Sequence, residues 1–106
     1  MFKPLVSIIT VCLNSEKTIE KTILSVINQT YSDLEYIIVD GASDDSTLDI
    51  IQKYDSSISR WISEQDEGIY DAMNKGIKLS SGDWLIFMNS GDYFSDDNVV
   101  AKIIKI

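Results

Sequence analysis

The chain has no histidine, a single cysteine and a single proline among its 106 residues. Cys12 alone cannot form an internal disulfide, and with no second Cys and no His there is no ligand set for a structural zinc ion. Basic residues are also scarce, with 9 Lys and Arg against 17 Asp and Glu and a formal charge of −8. Nucleic-acid binders present basic patches that release counterions from phosphates, so no nucleic acid is expected as partner. An acidic protein that takes a small anion, such as a nucleotide diphosphate, needs a divalent cation or a set of backbone N–H groups to offset repulsion. Long apolar runs are missing too: none approaches the roughly 20 residues that span a bilayer. The opening Met-Phe-Lys-Pro leads directly into Leu5-Val6-Ser7-Ile8-Ile9 without a small-residue cleavage site. The expectation is a cytoplasmic segment without a signal peptide or membrane span in this chain, any membrane association residing in parts of the protein outside it.

Glycine is absent from Met1 to Asp40. A dinucleotide-binding fold needs a glycine-rich first βα turn for the backbone to approach a pyrophosphate, so that cradle is excluded. A P-loop is excluded as well, because the one stretch that resembles it, Asn74-Lys75-Gly76, lies within a helical stripe. Phosphate must then be held by a metal, by side chains or by other loop N–H groups.

What is present is an ordinary 44% apolar content, enough for the core of one domain. Leu5 to Leu13 is a continuous apolar and β-branched run, as in a strand covered on both faces. Asn14-Ser15 can cap a helix from about Ser15 to Gln29, where Ile19, Ile23, Val26 and Ile27 repeat at the spacing of one buried stripe. Leu34 to Val39 reads as a second strand that stops at the turn and cap formers Asp40-Gly41-Ala42-Ser43-Asp44-Asp45-Ser46. A helix over Thr47 to Tyr54, a short strand over Ser59 to Ser63, and a helical stripe through Ile69, Ala72, Met73, Gly76 and Ile77 follow. Trp84 to Met88 is a fourth strand ending at Asn89-Ser90-Gly91-Asp92, and Asp96-Asp97-Asn98 caps a last helix from about Val99 to the terminus. Trp61, Trp84, Phe87 and Met88 lie in apolar runs and are expected in the core. The order βαβαβαβα with short loops predicts an α/β fold, a parallel sheet flanked by helices.

In such sheets ligands bind beyond the carboxyl ends of the strands, where strand order reverses. Three of those ends are polar: Thr10 to Asn14, Asp40 to Asp44, and Asn89 to Asp92. Each set has a plain structural reading as turns and caps, but their convergence on one rim points to a ligand site.

Val6-Ser7-Ile8-Ile9-Thr10-Val11-Cys12-Leu13-Asn14 resembles the opening strand of family 2 glycosyltransferases, with Cys12-Leu13 in the variable middle. Ile37 to Thr47 is similar to the second signature of that family, Gly68 to Ile77 to its Asn-x-Gly helix, and Gly82 to Asp92 to the strand that carries its metal-binding acidic motif. The resemblance implies a GT-A fold, a Rossmann-like and mainly parallel sheet, of which residues 1–106 form the nucleotide-sugar-binding part, truncated at the C-terminus. It further implies that Thr10, Cys12 and Asn14 line the base pocket and that Asp40 bonds the base or ribose beside Gly41, Ser43 and Asp44. Gly68, Tyr70, Asn74, Asn89 and Gly91 would lie near the donor sugar or phosphates. Asp92 would carry Mn²⁺ or Mg²⁺. Asn89 and Gly91 depart from the usual acidic pattern, leaving Asp92 as the one charged member, with Asn89 offering a neutral oxygen.

The implied activity is transfer of a sugar, with inversion, from a nucleotide diphosphate donor such as a UDP-sugar to a hydroxyl of a saccharide or lipid-linked acceptor in bacterial-type polysaccharide or glycoconjugate synthesis. The catalytic base is expected beyond residue 106. The alternative is a nucleotide-binding module or inactive scaffold, and assays on the chain and a longer parent separate the two. A nucleotidyltransferase ranks lower, because Leu13-Asn14-Ser15-Glu16-Lys17 is not the basic, glycine-rich first loop it needs. A sheet awaiting further strands exposes an apolar edge, so self-association of the chain is also expected.

Overall fold

The computed structural model describes residues 3–105. Strands β1 (Val6–Cys12), β2 (Leu34–Asp40), β3 (Arg60–Ser63) and β4 (Trp84–Phe87) form one sheet in the order β3-β2-β1-β4, and every neighbouring pair is parallel. Helices α1 (Ile19–Ile27), α2 (Thr47–Lys53), α3 (Ile69–Leu79) and α4 (Val99–Lys105) connect and flank the strands, with a short 3₁₀ turn at Asp55–Ser57. Ile106, which the sequence reading placed in the last helix, lies outside the described residues.

The alternation of side chains along a strand divides the core into two layers. Val6, Ile8 and Cys12 of β1 and Tyr36 and Ile38 of β2 pack with Ile19, Ile23 and Val26 of α1, Ile51 of α2 and Val100 of α4. Ile9 and Val11, with Ile37 and Val39, face the other way and pack with Ala72 of α3. All seven residues of β1 are buried, as its uninterrupted apolar run predicts. Burial of each large aliphatic side chain contributes about 1.5–3 kcal/mol relative to exposure. Gly76 allows α3 to approach closely, since a Cβ there would stand 2.4 Å from Ile9 Cγ2.

Two expectations are corrected. Helix α1 starts at Ile19, not Ser15, after a turn in which Thr18 N–H and Ile19 N–H both donate to Ser15 O, at 3.0 and 2.9 Å. Ser15 N–H donates to Thr47 Oγ1 at 2.8 Å and Glu16 N–H to Asp45 Oδ2 at 3.3 Å. Asn14 is left-handed, with φ of 47°, and so stands outside the extended conformation of a helix cap. Trp84 is not a core residue: it is 43% exposed and the next residue, Leu85, 41%. Among the described residues strand β4 pairs with β1 alone, and at this edge the flanking layers do not cover its first residues. Trp61 and Phe87 are half-buried, and Met88 is buried.

The reversal of strand order falls at β1, whose one neighbour is β2 and whose other is β4. The carboxyl ends of these three strands share one rim. None of the described helices is long and apolar enough to cross a membrane.

Candidate functional site

The rim is built first from β1 and β2, whose last residues, Cys12 and Asp40, are partners in the ladder. Gly41 N–H continues the pairing by donating to Cys12 O at 2.9 Å. The Asp40 side chain turns inward. Its Oδ1 accepts from Ser43 Oγ at 2.5 Å and Cys12 Sγ at 3.4 Å, and its Oδ2 accepts from Ser43 N at 2.9 Å and Ser63 Oγ at 2.8 Å. A carboxylate has about four lone-pair sites, and all are taken. With 0% exposure, Asp40 is not placed to bond a base or ribose, contrary to the expectation from sequence. It acts instead as the knot of the loop, holding Ala42 in a left-handed conformation at φ 64° between two anchored neighbours.

The loop after β1 is tied to this knot. Asn14 N–H donates to Ser43 Oγ at 2.8 Å, and Asp44 N–H donates to Asn14 Oδ1 at 2.9 Å. Asp45 accepts from Thr47 Oγ1 and Thr47 N, and its carboxyl is held below the usual carboxylate range by these bonds, the Thr47 hydroxyl foremost. Asn14, Ser43 and Asp44 thus belong to one stapled unit. Thr10 is corrected in the same way as Asp40. It is fully buried, donates to Met88 O at 2.6 Å and shares a 2.8 Å hydrogen bond with Tyr36 Oη, so it ties β1 to β2 and to the residue after β4 and lines neither cavity.

A cavity of about 220 Å³ opens at this rim, lined by Val11, Cys12, Leu13, Asp66, Gly68, Ile69 and Ala72. Its wall is mostly apolar, and Asp66 supplies the one charge. Gly41 borders it closely, because a Cβ there would lie 2.8 Å from Asp66 Oδ2 and 3.5 Å from Leu13 Cδ1. Asp66 Oδ1 accepts from Gly68 N at 3.0 Å, which turns the chain into α3, while Oδ2 has no donor among the described residues. The Cys12 thiol is pushed well up by burial and by the Asp40 carboxylate, so it stays protonated and serves as apolar wall. A larger cavity, about 430 Å³, lies at the opposite rim among Asn28, Gln29, Tyr31, Ser32, Ser57 and Ser59. It is far from the strand ends where the polar loops converge.

The third loop completes the rim. Ser90 N–H donates to Val11 O at 3.2 Å and Met88 N–H to Ile9 O at 2.9 Å, which extends the β1–β4 pairing past the end of β4. Val11 is therefore both cavity wall and anchor of this loop. Asp92 N–H donates to Asn89 O at 2.9 Å, closing a turn through Gly91, whose φ is 98°. The Asp92 carboxylate is exposed. Asn89 Oδ1 is buried without a hydrogen-bond partner. A bare carboxylate and an unpaired amide oxygen on one turn suit a hard divalent cation, which takes oxygen ligands and accepts one or two carboxylates alongside substrate phosphates. Among the described residues no three His, Cys, Asp or Glu side chains cluster to hold a metal by themselves.

Gly68 reaches the cavity, with φ of 118° at the start of α3. Tyr70 and Asn74 do not. Each lies two residues from a buried member of the Ala72 and Gly76 face, about 200° around the helix, and both are exposed, Tyr70 by 79%. Val11, Leu13, Asp66, Ile69 and Ala72 are the cavity residues missed from sequence. The signal for Asp66 was available, since Asp66-Glu67-Gly68 is an aspartate turn at a helix start.

The model of the family described as Glycosyl transferase family 2 matches residues 7–106. An uncharacterized glycosyltransferase of Mycobacterium tuberculosis is 40% identical over 103 residues, covering 96% of this chain and 39% of the relative. Among solved structures, the mannosyltransferase PcManGT from Pyrobaculum calidifontis, in complex with GDP-Man and Mn²⁺, superposes with a TM-score of 0.89 at 21% identity. That match covers 98% of this chain and 32% of the other. S. aureus TarS in complex with UDP-GlcNAc superposes with a TM-score of 0.83 at 27% identity, covering 94% and 30%. The chain thus spans about two fifths of the length of the curated relative it matches.

Proposed function

This chain belongs to glycosyl transferase family 2, and on that premise we propose that residues 1–106 form the part of a glycosyltransferase that binds the nucleotide diphosphate of a sugar donor. The observation that carries the reading is the joining of the 220 Å³ cavity to the Asn89–Asp92 turn through Val11. The nucleoside enters the cavity between Leu13 and Gly68, with the free Oδ2 of Asp66 accepting from a base N–H or ribose hydroxyl. The diphosphate then extends toward Asp92. Asp40, Ser43 and Asn14 set the shape of the wall without touching the ligand.

Asp92, with Asn89 as neutral neighbour, would hold Mn²⁺ or Mg²⁺. When bound, such an ion neutralises charge on the diphosphate as it leaves the sugar. The chain's own residues bind and orient the donor, and the apolar wall of Cys12, Ile69 and Ala72 keeps water from the nucleoside. The acceptor is a saccharide or lipid-linked hydroxyl, and a general base must take its proton; none is assigned among residues 3–105.

Calorimetric titration tests the proposal, with UDP and GDP each measured with and without Mn²⁺. The expected result is binding of UDP in preference to GDP, weakened by Asp66→Asn. Mn²⁺ and UDP tighten one another by the same factor, of order 5- to 150-fold, as linkage requires, and Asp92→Asn removes that coupling. No binding of either nucleotide by the folded chain would overturn the assignment of this cavity.

A further inference from the structure

Thr22 interrupts the apolar stripe that α1 turns to the sheet. The buried residues of that helix are Ile19, Thr22, Ile23 and Val26, at i, i+3, i+4 and i+7. A hydroxyl at such a position costs free energy unless it is hydrogen-bonded. The usual partner for a helical threonine is the carbonyl four residues back. Here Thr18 O is 3.5 Å away, at the limit of a hydrogen bond. The single hydroxyl proton goes elsewhere: Thr22 Oγ1 donates to Asp92 O at 2.6 Å and accepts from Gly91 N at 3.1 Å. Thr22 is 0% exposed, so neither bond competes with water.

These two bonds grip the peptide groups around Asp92. The Gly91 N–H and the Asp92 C=O bracket the Gly91–Asp92 segment, and Gly91, whose missing Cβ gives the backbone most freedom, is in the left-handed region at φ 98°. The loop has other ties, through Ser90 N–H to Val11 O, through Thr18 Oγ1 and Ser90 Oγ at 3.1 Å, and through Asp92 N–H to Asn89 O. Those hold the turn to the strand and close it. Among the described residues Thr22 alone reaches both Gly91 N–H and Asp92 C=O. The Asp92 side chain has no hydrogen bond of its own among the described residues, so what is held is the backbone from which the carboxylate projects.

We infer that Thr22 is the positioning residue for Asp92: through its paired bonds to Gly91 and Asp92 it fixes the backbone from which that carboxylate reaches a divalent cation shared with a diphosphate. The inference rests on the proposed metal role of Asp92 and adds a residue remote from the ligand. Its chemistry is specific to a hydroxyl. Valine has the same shape but neither donates nor accepts, so Thr22→Val leaves Gly91 N–H and Asp92 C=O unpaired and lets the turn relax. Serine keeps the hydroxyl.

The test is the coupling between Mn²⁺ and UDP, read by titrating the full chain with UDP in the presence and absence of Mn²⁺. Four proteins are compared: the unaltered chain, Thr22→Val, Thr22→Ser and Asp92→Asn. Thr22→Val is expected to reduce the coupling to within about twofold of none while metal-free UDP affinity stays as in the unaltered chain, and Thr22→Ser is expected to restore it. Loss of coupling in Asp92→Asn with full coupling in Thr22→Val overturns the role of Thr22 and leaves that of Asp92 standing. Full coupling in Asp92→Asn overturns both. A second measurement does not depend on the valine variant folding. In the unaltered chain the Gly91 amide is expected to be protected against hydrogen exchange well above the amide of Tyr93, which donates no hydrogen bond among the described residues. Protection no greater than that of Tyr93 refutes the anchor.

Discussion

Replacing Asp40 by Asn separates a residue that builds the loop from one that touches a ligand. The amide nitrogen of Asn must take the place of one carboxylate oxygen. At Oδ2 it would face the Ser43 N–H, which has a fixed direction, and two donors would oppose each other. At Oδ1 it meets the Ser43 hydroxyl, which can rotate, and the Cys12 thiol, which has Val39 O 3.8 Å away as a second acceptor. The second orientation is therefore adopted. Its cost is the loss of the charge on bonds that are about twice as strong when charge-assisted. In a fully buried network that amounts to roughly 1–3 kcal/mol. For a domain of this size each kcal/mol lowers the melting temperature by about 4–8 °C, so a fall of roughly 5–20 °C is expected. UDP affinity should fall only as far as the loop loosens, and added UDP should recover part of the melting temperature by mass action. Thermal melts followed by circular dichroism, paired with calorimetry, give both numbers. A variant that melts within about 2 °C of the unaltered chain yet binds UDP more than about tenfold more weakly would refute the reasoning. It would show that the carboxylate faces the ligand in solution.

Acid is expected to destabilise the fold. Burial pushes the Glu35 carboxyl up, but bonds from Ser81 and Ser7 and the nearby Arg60 outweigh it, and the Thr47 hydroxyl lowers Asp45. Both groups bind a proton less readily when folded than when unfolded. Their stabilisation is present above the unfolded carboxylate pKa of about 4 and is lost as pH falls through the lower folded values; melts from neutral pH down to pH ~2 should show it, with the slope flattened in Thr47→Val. Gly76→Ala would place a Cβ 2.4 Å from Ile9 Cγ2 in the buried layer. The gain in helix propensity of about 1 kcal/mol is expected to be outweighed by an overpacking cost of about 1–3 kcal/mol, and a urea midpoint equal to or above that of the unaltered chain would contradict this. The β4 edge, with Trp84 and Leu85 exposed, is expected to drive concentration-dependent association. Sedimentation velocity should show it diminished in Leu85→Lys, and a monomer at all concentrations would count against an adhesive edge.

The sequence by itself determined the element order, the parallel sheet and the rim where the polar loops meet. Those features follow from local periodicity: a seven-residue apolar strand such as β1 has no alternative to burial on both faces, and the turn formers after Val39 and Met88 can only end strands. The family was legible for the same reason, since its motifs are contiguous. Which atoms face a ligand was not legible. Asp40, Thr10 and Asn14 are hydrogen-bonding residues in any reading, but their bonds to Ser43, Ser63, Met88 and Asp44 join residues 3 to 78 positions apart, and only the folded chain shows them satisfied. Asp66 became a cavity residue because Gly41 lets it approach, a contact across 25 positions that no spacing rule encodes. Trp84 shows the same limit from the core side. An apolar run specifies a strand, but whether its side chains are covered depends on which strand lies at the edge of the sheet, and that is settled by the crossover of α3 to the far side of β1.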